Sequence, residues 1–389
     1  MNLIELAESR FSQTQSDRRY LHRTPELAFE EFKTSEFVNA RLQELGFSVK
    51  SKIAGTGLVA SFDTGKAGPV FLFRFDMDAL PVQEDNEVDY CSEVPGKMHA
   101  CGHDGHVSIG LTIGWMIRQI QEDLVGTFHL LFQPAEEIGQ GALQMVKEGV
   151  LQQIKPDYVL GVHLWNEKPF GWLGITGGAL MAASSTFQIN VIGKGGHGGQ
   201  PHTSIDPISA SAQIVNQIQT IVSRNLNPFD SAVISVCSIQ GGTSFNITPS
   251  KVVMTGTIRY LSENVYETIK RRLEEICKNT GSAMGCKVEL ILKELVNPTI
   301  NDPIVAGKAR DAAAAMGIQV QIDSTYQTML SEDVGVFLEQ VPGCFVLVGA
   351  GDGADGSLYS HHHPRFNFDE RAMTLSAALL LQTCLELAR

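Results

Sequence analysis

Side chains that bind divalent metals recur in this sequence shortly after short apolar runs. They are Asp76, Asp78, Cys101, His103, Glu136, Glu137, His163 and the triplet His361–His363. Histidine nitrogens, cysteine thiolates and carboxylate oxygens are the groups that hold Zn²⁺ and related metals in proteins. A cluster of these groups would support metal-assisted hydrolysis, in which a bound cation activates water and polarises a carbonyl group.

Four apolar runs precede most of these residues, and each run is typical of a β-strand covered on both faces. The runs are Val70–Phe75, Phe128–Phe132, Tyr158–Val162 and Cys344–Val348. In open α/β sheets, ligands bind outside the carboxyl ends of the strands. We therefore predict that the residues following the runs, together with Cys101 and His103, converge on one metal site.

Each of these residues alone has a plainer interpretation. A single histidine such as His163 is often a hydrogen-bonded core residue. A carboxylate pair such as Glu136 and Glu137 often begins a helix, and an aspartate such as Asp76 often forms a turn. The metal interpretation is favoured because residues of ligand type follow several separate strands of the same chain.

The order of predicted helices and strands changes in the middle of the chain. Residues 1–183 and 297–389 have the alternating helices and apolar strands of an α/β catalytic domain with a mostly parallel sheet. Residues 184–296 have the β-α-β-β-α-β order of a ferredoxin-like module. Its predicted elements are Thr186–Ile192, Asp206–Val222, Val233–Ile239, Lys251–Tyr260, Glu263–Asn279 and Cys286–Leu292. Further on, Ser331–Glu339 is predicted to be a helix capped by its own Ser-Glu-Asp start.

The composition of the 389-residue chain argues against several classes of function. The formal net charge is −13 and no Lys/Arg cluster is present, so a nucleic-acid partner is not expected. Seven cysteines, scattered and odd in number, favour reduced thiols inside a cell over a disulfide framework. The N-terminal segment lacks signal-peptide features, and no apolar stretch approaches the roughly 20 residues that span a bilayer. We therefore expect a soluble, cytoplasmic protein without a membrane partner.

Several strings of the sequence resemble a known metallohydrolase family. They are LHRTPEL, FRFDMDALPV, MHACGHDGH, FQPAEE, GVHLW, GKGGHG, SFNITP, SEDVGVF and HHHPRFNFDE, in order from Leu21 to near the C-terminus. The family contains hippurate hydrolase, plant auxin-conjugate hydrolases and bacterial N-acetyl-diaminopimelate deacetylase. More distantly, the sequence resembles aminoacylase, succinyl-diaminopimelate desuccinylase and bacterial glutamate carboxypeptidase. The resemblance implies a zinc-exopeptidase-like catalytic domain interrupted by a lid and dimerisation domain.

The resemblance also implies two divalent metal ions per subunit (Zn, Mn, Co or Ni). Carried over residue by residue, the ligands are Cys101, His103, Glu137, His163 and His362. The family places the last ligand two residues before a proline, which selects His362, although the flanking His361 and His363 stay open as alternatives. Cys101 stands where the distant relatives have a bridging aspartate, and Asp76 where they have a metal-binding histidine. Asp76 and Asp78 are expected to lie behind the ligands.

The adjacent glutamates are predicted to divide the work of the site. Glu137 would bind metal, and Glu136 would act as general base and then general acid on a water between the two metals. By resemblance, His197 stabilises the oxyanion from a neighbouring subunit, and Asn246 and Arg259 bind the substrate's amide or α-carboxylate. The alternative for Arg259 is a solvated charge at the end of a strand. The resemblance further implies a homodimer, or a higher homo-oligomer, formed through residues 184–296.

The implied activity is hydrolysis of the amide bond of N-acyl-amino acids, with an acetyl, benzoyl or similar acyl group. Two rival interpretations stay open. One is a dipeptidase or carboxypeptidase of the same fold, and the other is a homologue that binds metal without catalysis. The residues do not specify the acyl group, the preferred amino acid or the native metal, because pocket size depends on loops that spacing does not describe.

Overall fold

The computed structural model describes residues 2–353 and 356–389. The helices are α1 Leu3–Ser9, α2 Phe11–Arg23, α3 Phe32–Glu44, α4 His103–Gln119, α5 Gly141–Lys147, α6 Val150–Ile154, α7 Pro207–Asn225, α8 Glu263–Ala283, α9 Pro303–Ala315, α10 Gly335–Leu338 and α11 Arg371–Leu387. The strands are β1 Ser48–Ile53, β2 Gly57–Asp63, β3 Val70–Asp76, β4 Thr127–Gln133, β5 Tyr158–Pro169, β6 Trp172–Gly174, β7 Gly178–Met181, β8 Ala183–Ile192, β9 Gly196–His197, β10 Ala232–Gln240, β11 Ile247–Thr248, β12 Lys251–Tyr260, β13 Lys287–Val296, β14 Thr299–Asn301, β15 Gln321–Asp323 and β16 Gly343–Gly351.

The chain divides into two compact units. Unit 1 comprises Met1–Leu180, Thr299–Gln327 and Asp333–Arg389, and unit 2 comprises Met181–Pro298 and Thr328–Glu332. The short segment Thr328–Glu332 therefore belongs with the inserted unit, although it lies far beyond the insertion in sequence.

Unit 1 is built on an eight-stranded sheet with the order β1-β2-β4-β3-β5-β16-β6-β15. The four central strands, β4, β3, β5 and β16, run parallel to one another. All seven residues of β3 except Val70 are buried, as expected for a strand covered on both faces. The carboxyl ends of these four strands lie at the same edge of the sheet, which confirms the predicted α/β architecture.

The strand that carries His163 is longer than the sequence predicts. The apolar run indicates an end at Val162, whereas β5 continues to Pro169, so His163 lies inside the strand. The continuation remains paired with β16 as far as Pro169. Leu164 and Trp165 are buried as well, and this extension places His163 within the sheet rather than in a loop.

Helix α4 packs closely on the sheet because a glycine faces two aromatic rings. A Cβ atom at Gly110 would lie 2.6 Å from the Phe75 ring and 2.7 Å from the Phe132 ring. Nearly the whole helix is buried, so its N-terminus is fixed relative to the carboxyl ends of β3 and β4. His103, the first residue of the helix, is held in place by this packing.

Unit 2 has the four-stranded antiparallel sheet order β10-β12-β8-β13. Helices α7 and α8 pack together, and their apolar faces share one core with the sheet. Strand β12 occupies the bounds that the sequence predicts, Lys251–Tyr260. This topology is the ferredoxin-like arrangement expected from the order of elements.

The predicted helix Ser331–Glu339 is wrong in extent and in its cap. The helix is α10, Gly335–Leu338, and the residue before it, Val334, makes no side-chain cap. The Asp333 carboxylate instead accepts from the backbone N–H of Ala142, at 3.0 Å, at the start of α5. It therefore caps a helix that lies nearly 200 residues away in sequence.

All seven cysteines are free thiols. Across residues 2–353 and 356–389, every helix is too short or too polar to cross a bilayer.

Candidate metal centre

Two sets of three ligand-type residues in unit 1 share one thiol. The first set is Cys101, His103 and His163, and the second is Cys101, Glu137 and His362. Within each set, one ligand atom of every residue lies within 4.8 Å of the others. A thiolate common to both sets could bridge two metal ions. The five residues are the same ones that the resemblance implies as ligands.

A left-handed glycine directs Cys101 and His103 to the same point. Gly102 has φ +93° and precedes the first turn of α4. A residue with a Cβ atom adopts this conformation at a cost, whereas glycine adopts it freely. The reversal of the chain at Gly102 lets the two flanking side chains belong to one set.

Asp78 orients the imidazole of His103. His103 Nδ1 lies 2.9 Å from the backbone carbonyl oxygen of Asp78, and it donates to that oxygen. The lone pair of Nε2 is therefore left for a metal. Nε2 is buried and has no hydrogen-bond partner among the described residues.

The backbone N–H and carbonyl groups of Leu164 orient His163 and two further histidines. His163 Nδ1 donates to the Leu164 carbonyl oxygen at 2.9 Å, which points Nε2 toward the Cys101 sulfur at 3.5 Å. His361 Nε2 donates to the same carbonyl oxygen at 3.0 Å, and the Leu164 N–H donates to His106 Nε2 at 3.0 Å. The backbone N–H and carbonyl oxygen of one residue thus fix the tautomers of three imidazoles.

The three consecutive histidines have different surroundings. His362 Nε2 lies 3.3 Å from Glu137 Oε2, and its backbone N–H donates to the Ala100 carbonyl oxygen at 2.8 Å. His361 is bound to Leu164, as described above, and burial lowers its pKa to about 4. His363 accepts from the backbone N–H of Arg365 through Nδ1. Only His362 of the three joins a set with Cys101.

Strain accompanies the orientation of His362, which has φ +67°. Non-glycine residues adopt this left-handed conformation rarely, and such outliers cluster at functional sites.

The loop that carries Glu136 and Glu137 is held through its backbone. Asp78 Oδ1 accepts from the Glu136 N–H and Asp78 Oδ2 accepts from the Glu137 N–H, each at 3.0 Å. Glu137 belongs to the set with Cys101 and His362, whereas Glu136 joins neither set that contains Cys101. The Glu136 carboxylate lies 3.9 Å from His103 Nε2. Glu137 lies 4.0 Å from the same nitrogen, and both glutamates form a set with His103, so membership of a set with Cys101 is what distinguishes Glu137 from Glu136.

Asp76 lies beside the candidate ligand His103, with its Oδ2 3.8 Å from His103 Nε2, and two other residues hydrogen-bond its carboxylate. Its Oδ1 lies 2.6 Å from His106 Nδ1, and its Oδ2 accepts from Arg74 Nη1 at 2.6 Å. Burial disfavours the ionised form of Asp76, but the charges of His103, His106 and Arg74 outweigh burial and hold its pKa well below the usual range. Both ring nitrogens of His106 are hydrogen-bonded, Nδ1 to Asp76 and Nε2 to the Leu164 N–H.

A buried polar network behind Asp76 was not identified from the sequence. Arg74 donates to Gln133 Oε1 and to Asp333 Oδ1, each at 2.8 Å, and Gln133 Nε2 donates to Asp333 Oδ1 at 2.7 Å. The network joins the ends of β3 and β4 to the start of α5. One signal was available in the sequence: Arg74 is a charged residue inside the apolar run VFLFRF, and a buried charge requires a partner.

The donor set and its charge fit divalent metal ions. Burial lowers the pKa of His103, but the charge of Asp76 and a hydrogen bond with Asp78 outweigh burial and raise it to about 10. Burial raises the pKa of Glu137 to about 7. Glu137 Oε1, like His103 Nε2, is buried without a hydrogen-bond partner among the described residues. Bound cations would satisfy both orphaned atoms and the excess negative charge.

In unit 2, His197 and Asn246 lie side by side. The backbone N–H of Gly198 donates to the Asn246 carbonyl oxygen at 2.8 Å, and β9 pairs with β11 beside this bond. His197 Nδ1 accepts from the Gly199 N–H at 3.0 Å, so the proton of the neutral imidazole is on Nε2. The Asn246 side-chain oxygen accepts from Ser244 at 2.7 Å. Two exposed hydrogen-bond donors, His197 Nε2 and the Asn246 amide nitrogen, therefore flank each other.

Arg259 is a half-buried cation of the same unit. It donates to the Ser331 hydroxyl and, among the described residues, has no carboxylate within ion-pairing distance. Burial lowers its pKa. A guanidinium without an internal carboxylate partner is suited to bind a carboxylate from a ligand.

This chain is similar to several known proteins. A profile described as peptidase family M20/M25/M40 matches residues 72–386. N-acetyl-L-cysteine deacetylase of Bacillus subtilis is 37% identical over 94% of the chain and 86% of its own length. IAA-amino acid hydrolase ILR1-like 5 of Arabidopsis thaliana is 36% identical over 97% and 88%. Thermostable carboxypeptidase 2 of Saccharolobus solfataricus is 37% identical over 92% and 91%.

A solved structure is similar over nearly the whole chain. The YXEP protein of Bacillus subtilis, described as a dinuclear metal-binding peptidase from the M20 family, superposes with a TM-score of 0.86 at 30% identity. The similarity covers 98% of this chain and 99% of that one.

Proposed function

This chain belongs to peptidase family M20/M25/M40, and from that membership we propose that it hydrolyses the amide bond of N-acyl-amino acids. The products would be a carboxylate and a free amino acid. The acyl group would be acetyl, benzoyl or of similar size. The deacetylase and the IAA-amino acid hydrolase among the relatives support this substrate class, because the names of both describe N-acylated amino acids.

The observation that carries the proposal is the thiol of Cys101, which is common to two sets of ligand-type residues beside Glu136. Cys101, His103 and His163 would hold one ion, and Cys101, Glu137 and His362 the other. Bound there, two divalent metals would supply Lewis-acid chemistry, lowering the pKa of a water molecule and polarising the acyl carbonyl. A thiolate among the ligands favours softer ions such as Zn²⁺, and Mn²⁺, Co²⁺ and Ni²⁺ are the alternatives.

Glu136 would move the proton. Its carboxylate takes a proton from the attacking water and then delivers it to the nitrogen of the departing amino acid. Asp78 supports this role because it holds the backbone of Glu136 and Glu137 through its two carboxylate oxygens. Glu137 would serve as a ligand, and a carboxylate bound to a metal has little basicity left for proton transfer.

Unit 2 would supply the polar contacts to the substrate. We propose that His197 donates through Nε2 to the developing oxyanion and that Asn246 contacts the amide. Arg259 would bind the α-carboxylate through its guanidinium group. The absence of an internal carboxylate partner for Arg259, noted above for the described residues, supports this assignment.

The runner-up function is cleavage of a free dipeptide or of a C-terminal residue, which the carboxypeptidase among the relatives keeps open. Such an enzyme shares the requirement for Arg259, but it needs a site for a free amine or a long peptide. A non-catalytic metal-binding protein is less well supported, because Glu136, His197 and the complete ligand set are all present.

A substrate panel separates these functions. With Zn²⁺ or Mn²⁺ present, N-acetyl-, N-benzoyl-, N-succinyl- and N-indoleacetyl-amino acids are compared with unblocked dipeptides at equal concentration. We expect kcat/KM to be at least about 100-fold higher for one acyl class, since unpaired polar groups in a mismatched site are costly. A chelator should abolish the hydrolysis and added metal should restore it. Preferential cleavage of dipeptides would contradict the proposal and support a dipeptidase or carboxypeptidase function instead.

We further propose that the protein forms a homodimer through residues 184–296. Strand β10 is an edge strand, because its sheet order places β12 on one side and no described strand on the other. Phe229 and Phe245, which flank this strand in sequence, are almost completely exposed. Exposed edges and apolar side chains of this kind are usually covered, and an antiparallel pair of identical edges is self-complementary about a two-fold axis.

Mixed dimers test whether His197 acts on the neighbouring subunit. His197→Ala is expected to lower kcat by about 10²–10³-fold, as loss of an oxyanion donor does elsewhere. Differently tagged His197→Ala and Glu136→Gln subunits are then co-expressed, and the heterodimer is isolated. If His197 acts in trans, one site of the heterodimer carries both changes and the other carries neither. About half of the wild-type activity should return. A heterodimer as inactive as its parents, or a monomeric protein, would contradict the proposal.

A further inference from the structure

The loop that carries Glu136 has a second anchor, provided by a buried carboxylate from the N-terminal part of unit 1. Glu31 is fully buried, and its Oε1 accepts from the backbone N–H of Ala135 at 2.9 Å. The same oxygen accepts from the Phe29 N–H at 2.9 Å, and Oε2 accepts from the Thr56 hydroxyl at 2.5 Å. Glu31 lies outside both sets of metal-ligand residues, so its burial is not explained by metal binding.

The residue that Glu31 holds is strained. Ala135 has φ +55°, in the left-handed region that residues with a Cβ atom rarely adopt. This conformation turns the chain after Pro134 so that the N–H groups of Glu136 and Glu137 both face Asp78. Strain of this kind persists only where neighbouring contacts impose it. At Ala135 itself, Glu31 holds the N–H, while the carbonyl oxygen accepts from the N–H groups of Gln140 and Gly141.

We propose that Glu31 is a positioning residue for the reaction: its carboxylate holds Ala135 in the left-handed conformation that sets the position of Glu136. Asp78 fixes the two amides after the bend, and Glu31 fixes the amide at the bend. A buried carboxylate suits this task because it is a strong acceptor that cannot exchange the Ala135 amide for water. The inference rests on the proposed function only in taking Glu136 as the proton-transfer group.

The variants that test the proposal differ in whether a hydrogen-bond acceptor for the Ala135 N–H remains and in whether residue 135 is strained. Glu31→Ala removes the acceptor, Glu31→Gln keeps an oxygen in its place, and Glu31→Met fills the space without an acceptor in case the alanine variant is unstable. Ala135→Gly in the Glu31→Ala background removes the strain instead, because glycine adopts positive φ freely. Glu148→Gln is the control, since Glu148 also accepts from a backbone N–H, that of Ala54, but does not touch the loop.

The first readout is hydrolysis of N-acetyl-L-methionine by the metal-loaded proteins. We expect Glu31→Ala to lower kcat by about 30-fold, with KM and metal content close to wild type, because misplacement by about 1 Å costs up to about 100-fold. Glu31→Gln and the double variant Glu31→Ala/Ala135→Gly should each recover most of this loss. If Glu31 only stabilised the fold, the second change Ala135→Gly would not restore the kcat of Glu31→Ala. The proposal is overturned if kcat of Glu31→Ala matches wild type, or if neither second change restores it.

The second readout does not depend on activity. Amide hydrogen exchange of the segment 133–141 should be about tenfold faster in Glu31→Ala than in wild type, and unchanged in Glu148→Gln, since only the first variant removes a hydrogen-bond acceptor from this segment. If the wild type does not hydrolyse acyl-amino acids but exchange follows this pattern, the proposed function fails and the role of Glu31 in the loop stands. Equal exchange in all variants would overturn the role of Glu31 directly.

Discussion

Glu136→Gln is expected to lower kcat by about 10³-fold while both metal ions remain bound. The estimate follows from the range of about 10²–10⁴-fold that a positioned general acid–base group contributes. Glutamine keeps the size and the backbone of the residue, so the contact of its N–H with Asp78 Oδ1 is retained. It cannot accept a proton from water, however, and it cannot return one to the amine. The loss should therefore appear in kcat, with KM changed little.

Metal analysis of the same protein provides the essential comparison. Two ions per subunit should be found in wild type and in Glu136→Gln, because Glu136 joins neither set with Cys101. Glu44→Gln, at an exposed position of α3, serves as the control for loss of one carboxylate. If Glu136→Gln binds both metal ions and keeps a kcat near that of wild type, Glu136 is not the general base. Loss of a metal would instead make Glu136 a ligand.

Cys101→Ala is expected to reduce metal content and activity together. Removal of a hydrogen-bond partner behind a ligand already costs about 10- to 100-fold in metal affinity. Cys101 belongs to both sets, so its loss should lower the affinity for each of the two ions by more than this factor. Competition with a chromophoric chelator would measure the affinities. With Co²⁺, the wild-type protein should also show the near-ultraviolet absorption of a thiolate ligand, and the variant should lack it.

Cys101→Asp tests whether a shared ligand, rather than sulfur itself, is required. A carboxylate can also bridge two ions, so this variant should regain both metals, with a preference shifted from Zn²⁺ toward harder ions such as Mn²⁺. Cys91→Ser is the matched control, because the Cys91 thiol donates to the backbone oxygen of Asn86 and belongs to neither set with Cys101. Full metal occupancy in Cys101→Ala would show that the thiol is not a ligand.

The secondary structure around the site could be predicted well from the sequence, because burial leaves a strong local pattern. The strands of unit 1 that precede the candidate ligands are continuous apolar runs, and the elements of unit 2 alternate in a recognisable order. The position of ligand-type residues after those strands then predicts convergence, since parallel strands end at one edge. The ligand assignments themselves stay predictions until metal is bound and measured.

What the sequence could not reveal are the contacts between polar residues that lie far apart along the chain. Glu31 and Ala135 are 104 positions apart, and Arg74 and Asp333 are 259 positions apart. Neither pair produces a periodicity, and although Arg74 inside an apolar run indicates a buried charge, nothing in the local sequence identifies Asp333 as its partner. The error at Ser331–Glu339 has the same origin. A Ser-Glu-Asp sequence suits a local cap, but Asp333 is used by a distant arginine and a distant helix.

The backbone conformation of the Glu136 loop is fixed by contacts that do not depend on which side chains the loop carries. Glu31 and Asp78 hold it only through backbone N–H groups, and Asp333 does the same at Ala142. Any residue other than proline offers such a group. Ile138, whose side chain is exposed in the same loop, can therefore be exchanged during evolution without displacing the neighbouring glutamates. Sequence drift at that position and retention of the catalytic geometry are compatible, which makes the loop a natural place for specificity to diverge among relatives.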